Sequence, residues 1–245
     1  MEIRRIFVDK LEMNNGLALL TGPMRKYIVT VLRKTAGERI DLVDGNGCLY
    51  CCVVNAIKGK ELYLNVLDIE HKAEEKRPGV TLCASPIRGP RMDWLVEKAT
   101  ELRVDRIVPT IFKRSVVRPK EKEKEKYERW KRIAIEASRQ SGRFSIPEVT
   151  EPTPLRDIIP HVAQAGNRWV FYEKEKETTM KDLVSTQRDG EICVAVGPEG
   201  GIEEFEVEWL KENGFSTCTL GESIFRSETT PLVVLSIILH EYSKR

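Results

Sequence analysis

Two glycine-bearing segments near the C-terminal end of the chain hold the residues best suited to chemistry. The first is Gly197-Pro198-Glu199-Gly200-Gly201, which follows the apolar run 192–196 and precedes a helical pattern over 203–213. A glycine-rich turn between a strand and a helix usually indicates phosphate binding, because the helix N-terminus offers free N–H donors. Four glutamates crowd this turn and would repel a phosphate: Glu199, Glu203, Glu204 and Glu206. The segment therefore favours a neutral or cationic ligand.

The second segment is Leu220-Gly221-Glu222-Ser223-Ile224-Phe225-Arg226-Ser227-Glu228, at the end of a strand-like run over 214–220. Another strand-like run, 168–173, leads into a charged loop. Ligands of open α/β sheets bind beyond the carboxyl ends of the strands. We therefore expect the loops after Tyr172, Val196 and Leu220 to form one ligand site.

The elements that must position these loops alternate between strand and helix patterns from residue 80 onward. A helix is predicted over 91–104, where Met92, Leu95, Ala99 and Leu102 share one face. The alternation predicts an α/β domain with a mainly parallel sheet and helices on both faces. A dinucleotide site is disfavoured, because the sequence lacks an early GxGxxG motif with an acidic residue about 20 positions later. The predicted strands cover 80–84, 104–109, 168–173, 192–196 and 214–220.

The last predicted helix begins at Thr230-Pro231, where Thr can cap the helix and Pro suits its first turn. Residues 232–239 are apolar nearly all round, which is typical of a helix buried on every side. Either a subunit interface or the core of the domain can supply this burial.

Residues 1–72 show short strand-like runs separated by turn signals, at 6–8, 40–43, 48–57 and 61–69. This spacing predicts a small β-barrel or compact sheet, with a helix over 27–32 lying across it. The charged stretch 71–79 ends in Pro78-Gly79 and predicts a linker. We therefore divide the chain into a small β-domain at 1–72 and a second domain at 73–245.

The composition excludes several classes of protein. The chain has 245 residues, of which 41% are hydrophobic and 32% charged, and its formal net charge of +2 indicates no particular partner. No apolar run reaches the roughly 20 residues of a membrane-spanning helix. The segment Met1-Glu2-Ile3-Arg4-Arg5 lacks the apolar core of a signal peptide. We expect a cytoplasmic protein that does not associate with a membrane.

The cysteines and histidines predict neither a disulfide framework nor a metal site. Cys48 and Cys51 have CxxC spacing, but no second pair or nearby His completes a zinc site. Cysteines buried in a strand are the better interpretation of this pair. The histidines lie far apart in the sequence at positions 71, 161 and 240.

Basic residues suggest a nucleic-acid partner. Residues 113–143 hold twelve basic and five acidic side chains. A solvated face is the usual alternative, but this imbalance favours an RNA-facing surface. On the helix 91–104, Lys98 can join an electropositive rim with Arg91 or simply pair with Glu101. The candidate RNA contacts are Arg4, Arg5, Arg33, Arg88, Arg91, Lys98, Arg114, Arg139 and Arg143.

The two glycine-bearing segments, extended to Thr229, resemble the RsmE family of SPOUT RNA methyltransferases. Further matches to that family are Lys98-Ala99-Thr100-Glu101-Leu102, Arg114-Ser115-Val116-Val117, and Glu136-Ala137 with Gln140-Ser141-Gly142-Arg143 and Pro147. Arg4-Arg5-Ile6-Phe7-Val8 and the turn at 45–47 fit its small β-domain. Two features depart from the family pattern. Arg103 stands where a glycine is common, and Ser227 with Thr230-Pro231 alters the segment after the motif arginine.

The resemblance implies a PUA-like β-barrel followed by an α/β domain with a C-terminal trefoil knot. It also implies a homodimer that binds S-adenosylmethionine in the knot and methylates N3 of a uridine in the 16S ribosomal RNA of the small subunit. The sulfonium cation of this cofactor is compatible with an acidic, glycine-lined pocket. The implied cofactor-binding residues are Phe171, Tyr172, Glu173, Val196, Gly197, Pro198, Glu199, Gly200, Gly201, Leu220, Gly221, Ile224, Phe225 and Arg226.

The implied reaction assigns roles to three charged residues. N3 of uracil carries a proton near neutral pH, so its methylation needs a proton acceptor or stabilisation of the anionic ring. We assign Arg226 to stabilise negative charge on the uracil oxygens, and Glu228 or Glu199 to accept the proton or orient the base. Alternatively, Arg226 and Glu228 pair with each other and only hold the loops.

Two other functions remain open at this point. One is a SPOUT methyltransferase that acts on a ribose 2′-hydroxyl or on transfer RNA. The other is a non-catalytic RNA-binding protein that keeps a degenerate pocket.

Overall fold

The computed structural model describes residues 5–8, 11–45, 47–71, 77–117, 124–186 and 190–242. The chain forms two units, Met1–Glu75 with Ser138–Ile146, and Lys76–Ala137 with Pro147–Arg245. This division departs from the domains predicted at 1–72 and 73–245, because a segment from the middle of the chain belongs to the first unit. Phe144 and Ile146 of that segment pack against Phe7, Val43 and Leu49. The two units are described separately below.

The first unit is built on a six-stranded sheet in the order β1-β4-β5-β6-β3-β2. All neighbouring strands in it are antiparallel except β1 and β4. The predicted compact sheet is confirmed, and closure of this sheet into a barrel stays a prediction. Its elements are β1 (Arg5–Phe7), β2 (Glu12–Asn14), β3 (Leu17–Leu20), α1 (Gly22–Lys26), β4 (Arg39–Val43), β5 (Cys48–Lys58) and β6 (Glu61–His71).

The helix predicted over 27–32 begins earlier than expected. It starts as α1 at Gly22 and continues as a π-helical turn over Tyr27–Val31. Ile28 of this turn is fully buried in the core of the unit, with Leu42 and Leu64 from the sheet. Cys48 and Cys51, expected to be buried, are only partly buried, whereas Cys52 is buried.

The second unit contains a parallel sheet in the order β10-β8-β7-β12-β11-β13, with β9 paired to β8. The predicted parallel α/β sheet is therefore confirmed. Two 3₁₀ turns, Leu155–Asp157 and Ile159–Val162, precede its fifth strand. The strands are β7 (Val80–Ala84), β8 (Arg106–Ile111), β9 (Glu148–Val149), β10 (Thr153–Pro154), β11 (Ala165–Phe171), β12 (Glu191–Val196) and β13 (Ser216–Cys218). The helices are α2 (Pro90–Glu101), α3 (Lys124–Gln140), α4 (Met180–Ser185), α5 (Glu204–Glu212) and α6 (Thr229–Tyr242).

Both faces of this sheet are buried, which explains why its strands have continuous apolar sequences. Alternate residues of a strand point to opposite faces. Val194 and Val196 of β12 therefore join the core that contains α2, α3 and α6, whereas Cys193 and Ala195 join the core beneath α5. The sheet is a rigid platform from which the loops at its edge extend.

The strand predicted over 168–173 begins earlier, at Ala165, and the register of β11 shifts between Ala165 and Asn167. The start of the last helix also needs correction. Helix α6 begins at Thr229 instead of Thr230. Within the chain, one side of α6 is buried through Val234, Leu235 and Ile238, and burial of its other side at a subunit interface stays a prediction. No helix within the described ranges is long and apolar enough to cross a membrane.

Some expectations fall on residues outside the described ranges. These are Arg4, most of the predicted linker, and the beginning of the charged run before α3. Further along α3, Trp130, Ala134 and Ala137 form a buried face.

We expect Arg103→Gly to stabilise the protein. Arg103 follows the end of α2 and has a φ of 67°, a left-handed conformation that glycine adopts without a steric penalty. The substitution should raise the free energy of unfolding by about 1 kcal/mol, measured by urea denaturation. Arg103→Ala is the matched control, because it removes the same side chain but keeps a Cβ. Equal stabilities for the two variants would contradict this explanation.

Candidate functional site

Three parallel strands end at the same level on one edge of the second unit's sheet. β11 lies between β12 and β13, and its last residue, Phe171, pairs with both Val196 and Cys218. The three loops that leave these strands therefore begin side by side. This edge is the carboxyl end of the strands, where open α/β sheets bind ligands.

The three loops surround a pocket of about 650 Å³. Its walls include all fourteen residues that the sequence assigned to the cofactor. The volume is in the range of small-molecule sites. The residues that line it without having been assigned to the cofactor are Arg91, Ile202, Cys218, Thr219, Glu222, Ser223, Ser227 and Thr230. Most of these adjoin the two motif segments, but no sequence signal placed Arg91 here.

Two glycines of the first motif are required by protein contacts. A Cβ on Gly197 would collide with the side chain of Ile202, which is buried. Gly201 has a φ of 76°, and a Cβ there would collide with the carboxylate of Glu173. The glycines therefore serve the packing of the protein itself. They also let the loop fold tightly onto itself.

Two of the four glutamates at this turn do not repel a ligand. The Glu206 carboxylate accepts hydrogen bonds from the backbone N–H groups of Lys113 at 2.7 Å and Glu203 at 3.1 Å. Glu203 accepts a hydrogen bond from Arg114 at 2.9 Å. Arg114 also donates to the carbonyl oxygen of Gly200 at 2.7 Å. These contacts fix the start of α5, so the original argument against phosphate rests on fewer charges than the sequence suggested.

Arg91 connects two of the three predicted catalytic residues. From the first turn of α2, its guanidinium donates to Glu199 at 3.0 Å and to Glu228 at 3.5 Å. Glu199 lines the pocket, whereas Glu228 does not, and its side chain is only 8% exposed. Glu228 thus lies behind Arg91 and supports it. The predicted alternative, a pair between Arg226 and Glu228, is wrong.

Arg226 presents an uncommitted positive charge at the pocket. Its side chain is exposed, and no residue in the described parts of the chain forms an ion pair or hydrogen bond with its guanidinium. Its backbone carbonyl accepts hydrogen bonds from the N–H groups of Thr229 and Thr230. These bonds attach the Arg226 backbone to the first turn of α6 and leave the guanidinium free for a ligand.

Comparisons with known proteins identify the family of this chain. Residues 74–239 match the RNA methyltransferase domain family, and residues 20–67 match the RNA methyltransferase PUA domain. The ribosomal RNA small subunit methyltransferase E of Aquifex aeolicus is 31% identical, over 96% of this chain and 99% of its own. The protein of that name from Bacillus subtilis is 30% identical, over 91% and 89%. The chain belongs to the RsmE family.

A solved structure agrees with this assignment. The ribosomal RNA small subunit methyltransferase E from Neisseria gonorrhoeae, bound to S-adenosylmethionine, superposes with a TM-score of 0.86 at 27% identity. The match covers 98% of both chains. The fold of the present RsmE family member is thus α/β with an N-terminal PUA-like domain.

The structure separates the predicted RNA contacts of this RsmE family member into two groups. Arg33 and Arg88 are exposed, and no described residue pairs with their side chains, so both stay candidates. The side chains of Arg4 and Arg5 are not among those that the structure describes. The other five predicted contacts, Arg91, Lys98, Arg114, Arg139 and Arg143, are partly or fully engaged within the protein.

Arg143 is the clearest correction in the second group. It is only 1% exposed, which contradicts an RNA-facing role. Arg143 lies beyond the end of α3 at Gln140, and Gly142 turns the chain there with a φ of 68°. Arg139 is partly buried.

Lys98 pairs with Glu101, which was the alternative to its place in an electropositive rim. Its ammonium donates to Glu101 and Glu97, at 2.8 Å each, and these hydrogen bonds raise the pKa of Lys98. It is therefore not a free cation at the rim of the pocket. Within the described ranges, no group of three or more His, Cys, Asp or Glu side chains is placed to hold a metal ion.

The loop after β11 is held by a single carboxylate, that of Glu175. The Thr217 hydroxyl donates to it, and so do the backbone N–H groups of Lys176, Glu177 and Thr178. These donors, chiefly Thr217, lower the pKa of Glu175 to about 2. On the neighbouring strand, burial raises the pKa of Cys218 to about 12, so this part of the pocket wall is uncharged.

We expect the stabilisation from Glu175 to depend on pH. Its pKa falls from an ordinary 4.5 to about 2 on folding, so its contribution is complete above pH 4.5 and is lost as the pH falls towards 2. Glu175→Gln should therefore lower the free energy of unfolding at pH 7, and the difference from wild type should shrink between pH 4.5 and 2. Denaturant titrations at several pH values across this range measure the free energy of unfolding of both proteins. Glu177→Gln, at an exposed side chain, should show no such dependence, and a constant effect of Glu175→Gln would refute the assignment.

Proposed function

We propose that this chain transfers a methyl group from S-adenosylmethionine to N3 of a uridine in 16S ribosomal RNA. Membership of the RsmE family supports the reaction class. The relatives from Aquifex aeolicus and Bacillus subtilis are named for the RNA of the small subunit, which supports the substrate. The substrate is then the small ribosomal subunit or its RNA, in the cytoplasm.

The chemistry of the pocket fits the cofactor. Its charged wall residues are Glu173, Glu199 and Glu222 against Arg91 and Arg226, so carboxylates exceed guanidiniums. A negative balance favours a sulfonium cation. Phe171 and Val196 supply apolar wall beside the neutral Cys218. When bound, S-adenosylmethionine supplies the electrophilic methyl group.

The free guanidinium of Arg226 is the observation that carries the assignment. A uracil ring that loses its N3 proton places negative charge on its two carbonyl oxygens. A preorganised cation with no other partner can stabilise this charge without first breaking an ion pair. Arg91 cannot act in this way, because Glu199 and Glu228 already occupy its guanidinium.

Glu199 is the better placed of the two predicted proton acceptors. Arg91 bonds one of its carboxylate oxygens, and among the described residues nothing bonds the other. That second oxygen is available to accept the N3 proton at the pocket. Glu228 does not line the pocket, so we assign it a positioning role through Arg91.

We expect Arg226→Ala to reduce kcat for RNA methylation by about 100- to 1000-fold, the usual loss when one preorganised transition-state donor is removed. Arg226→Lys should retain part of the activity, because it keeps the positive charge. The measurement is methyl transfer to small-subunit particles from a strain that lacks the protein. Calorimetry with S-adenosylmethionine provides the control: Arg226 is one of twenty-two residues that line the pocket, and our proposal assigns its guanidinium to the uracil, so both variants should still bind the cofactor. Full activity of Arg226→Ala with intact cofactor binding would disprove the catalytic role.

The rival functions predict different outcomes in the same assay. Digestion and mass spectrometry of the product locate the methyl group, and a methylated ribose or a methylated transfer RNA would replace our proposal with another SPOUT activity. A non-catalytic RNA-binding protein with a degenerate pocket would show no binding of S-adenosylmethionine in the calorimeter.

We also propose a trefoil knot in the C-terminal segment and a homodimeric protein. The loops after β12 and β13 lie together at one sheet edge, and α6 returns to pack on α2 and β12, an arrangement that suits a knot. The outer side of α6 supports a second copy as its partner. Leu232, Val233 and Ile237 of this helix are only partly buried within the chain.

Val233→Asp should convert the dimer to a monomer, because it places a charge on the outer side of α6. Val233 is not among the residues packed against the core, so the fold should persist. Analytical ultracentrifugation measures the mass, and circular dichroism checks the fold. Val31→Asp is the matched control, since Val31 is exposed in the first unit. A monomeric wild-type protein would overturn the dimer.

A further inference from the structure

A second groove of about 620 Å³ lies in the same unit as the pocket. It is formed where β8 and β10 end and α5 passes over them. Phe205 and Trp209 lie one helical turn apart on α5 and both line the groove. Phe205 is 49% exposed, an unusual position for a large aromatic side chain, and Trp209 is partly buried.

Acidic and basic residues are equal in number around the groove, and this balance restricts the kind of ligand that the groove can bind. Lys113 and Arg156 stand against Asp157 and Glu206, and the Glu206 carboxylate is directed to backbone N–H groups. A balanced lining gives no net attraction for a phosphate. Exposed aromatic faces beside it instead suit a flat, uncharged ring.

The groove and the pocket share the same stretch of chain. The loop that ends at Ile202 lines the pocket, and Phe205 follows it in the first turn of α5. Arg114 bonds Gly200 and Glu203 on this connection, while its neighbour Lys113 lines the groove. A strand of RNA bound at the pocket can therefore continue towards the groove.

We propose that this groove receives an unpaired nucleobase that neighbours the methylated uridine, by stacking on Phe205 and Trp209. The inference rests on the proposed function. N3 lies on the pairing edge of uracil, so the target base must be unpaired, and its neighbours lose stacking partners. Aromatic side chains replace such stacking in proteins that bind single-stranded RNA.

Phe205→Ala tests this proposal, with small-subunit particles and a protein-free 16S RNA fragment as the two substrates. We expect KM for either RNA to rise roughly 5- to 100-fold, the range for losing one base–aromatic stack. Neither kcat nor the affinity for S-adenosylmethionine should change, because Phe205 does not line the pocket. Phe205→Tyr should restore KM, since it keeps the ring.

Glu208→Ala is the matched control, because Glu208 is exposed on the same helix and does not line the groove. An unchanged KM for Phe205→Ala would overturn the proposal. So would a loss confined to the particles with normal binding of the protein-free RNA, because the groove would then contact a ribosomal protein. If the wild type methylates neither substrate, the proposed function fails. Filter binding of the RNA fragment to wild type and Phe205→Ala still decides the role of the groove.

Discussion

The parallel register of β11, β12 and β13 is the constraint on which the candidate site depends. Phe171 pairs with Val196 on one side and with Cys218 on the other, so three loops leave the sheet at a common level. Because both faces of the sheet are buried, a slip of one residue would move each side chain into the core on the opposite face and disrupt the packing there. The core therefore holds the loops in place, and the pocket is a consequence of the register.

Within the pocket, ion pairing separates charges that look equivalent in the sequence. Arg91 is engaged by Glu199 and Glu228, so its charge is largely balanced. The backbone carbonyl of Arg226 accepts hydrogen bonds from the first turn of α6, and its guanidinium has no partner among the described residues. One arginine thus organises carboxylates, and the other is available to a substrate. The two carboxylates also differ in their access to a ligand, because Glu199 lines the pocket and Glu228 does not.

The sequence was sufficient to predict much of the fold and the outline of the site. Apolar runs identified β7, β12 and the parallel sheet, and the residues that the motif segments proposed for the cofactor line one pocket. It could not predict the position of Arg91, which lies over a hundred residues from Glu199 and Glu228 in the chain. It also misjudged Arg143, which lies past the end of α3 and is buried. Local sequence patterns do not show at which residue a helix ends, or which distant charged residue forms an ion pair with it.

By itself, the sequence determined the family, the reaction class and the identity of the loops around the pocket. These follow from local features, since glycine motifs, apolar runs and helix caps act over a few residues. Only the tertiary structure decided which charged side chains lack a partner among the described residues. It also showed that Ser138–Ile146 belongs to the first unit and that a groove lies beside Phe205. Those outcomes depend on contacts between residues far apart in the chain. An ion pair forms only when the packing of the sheet and helices brings its two partners together. An aromatic face is exposed only when that packing leaves it uncovered.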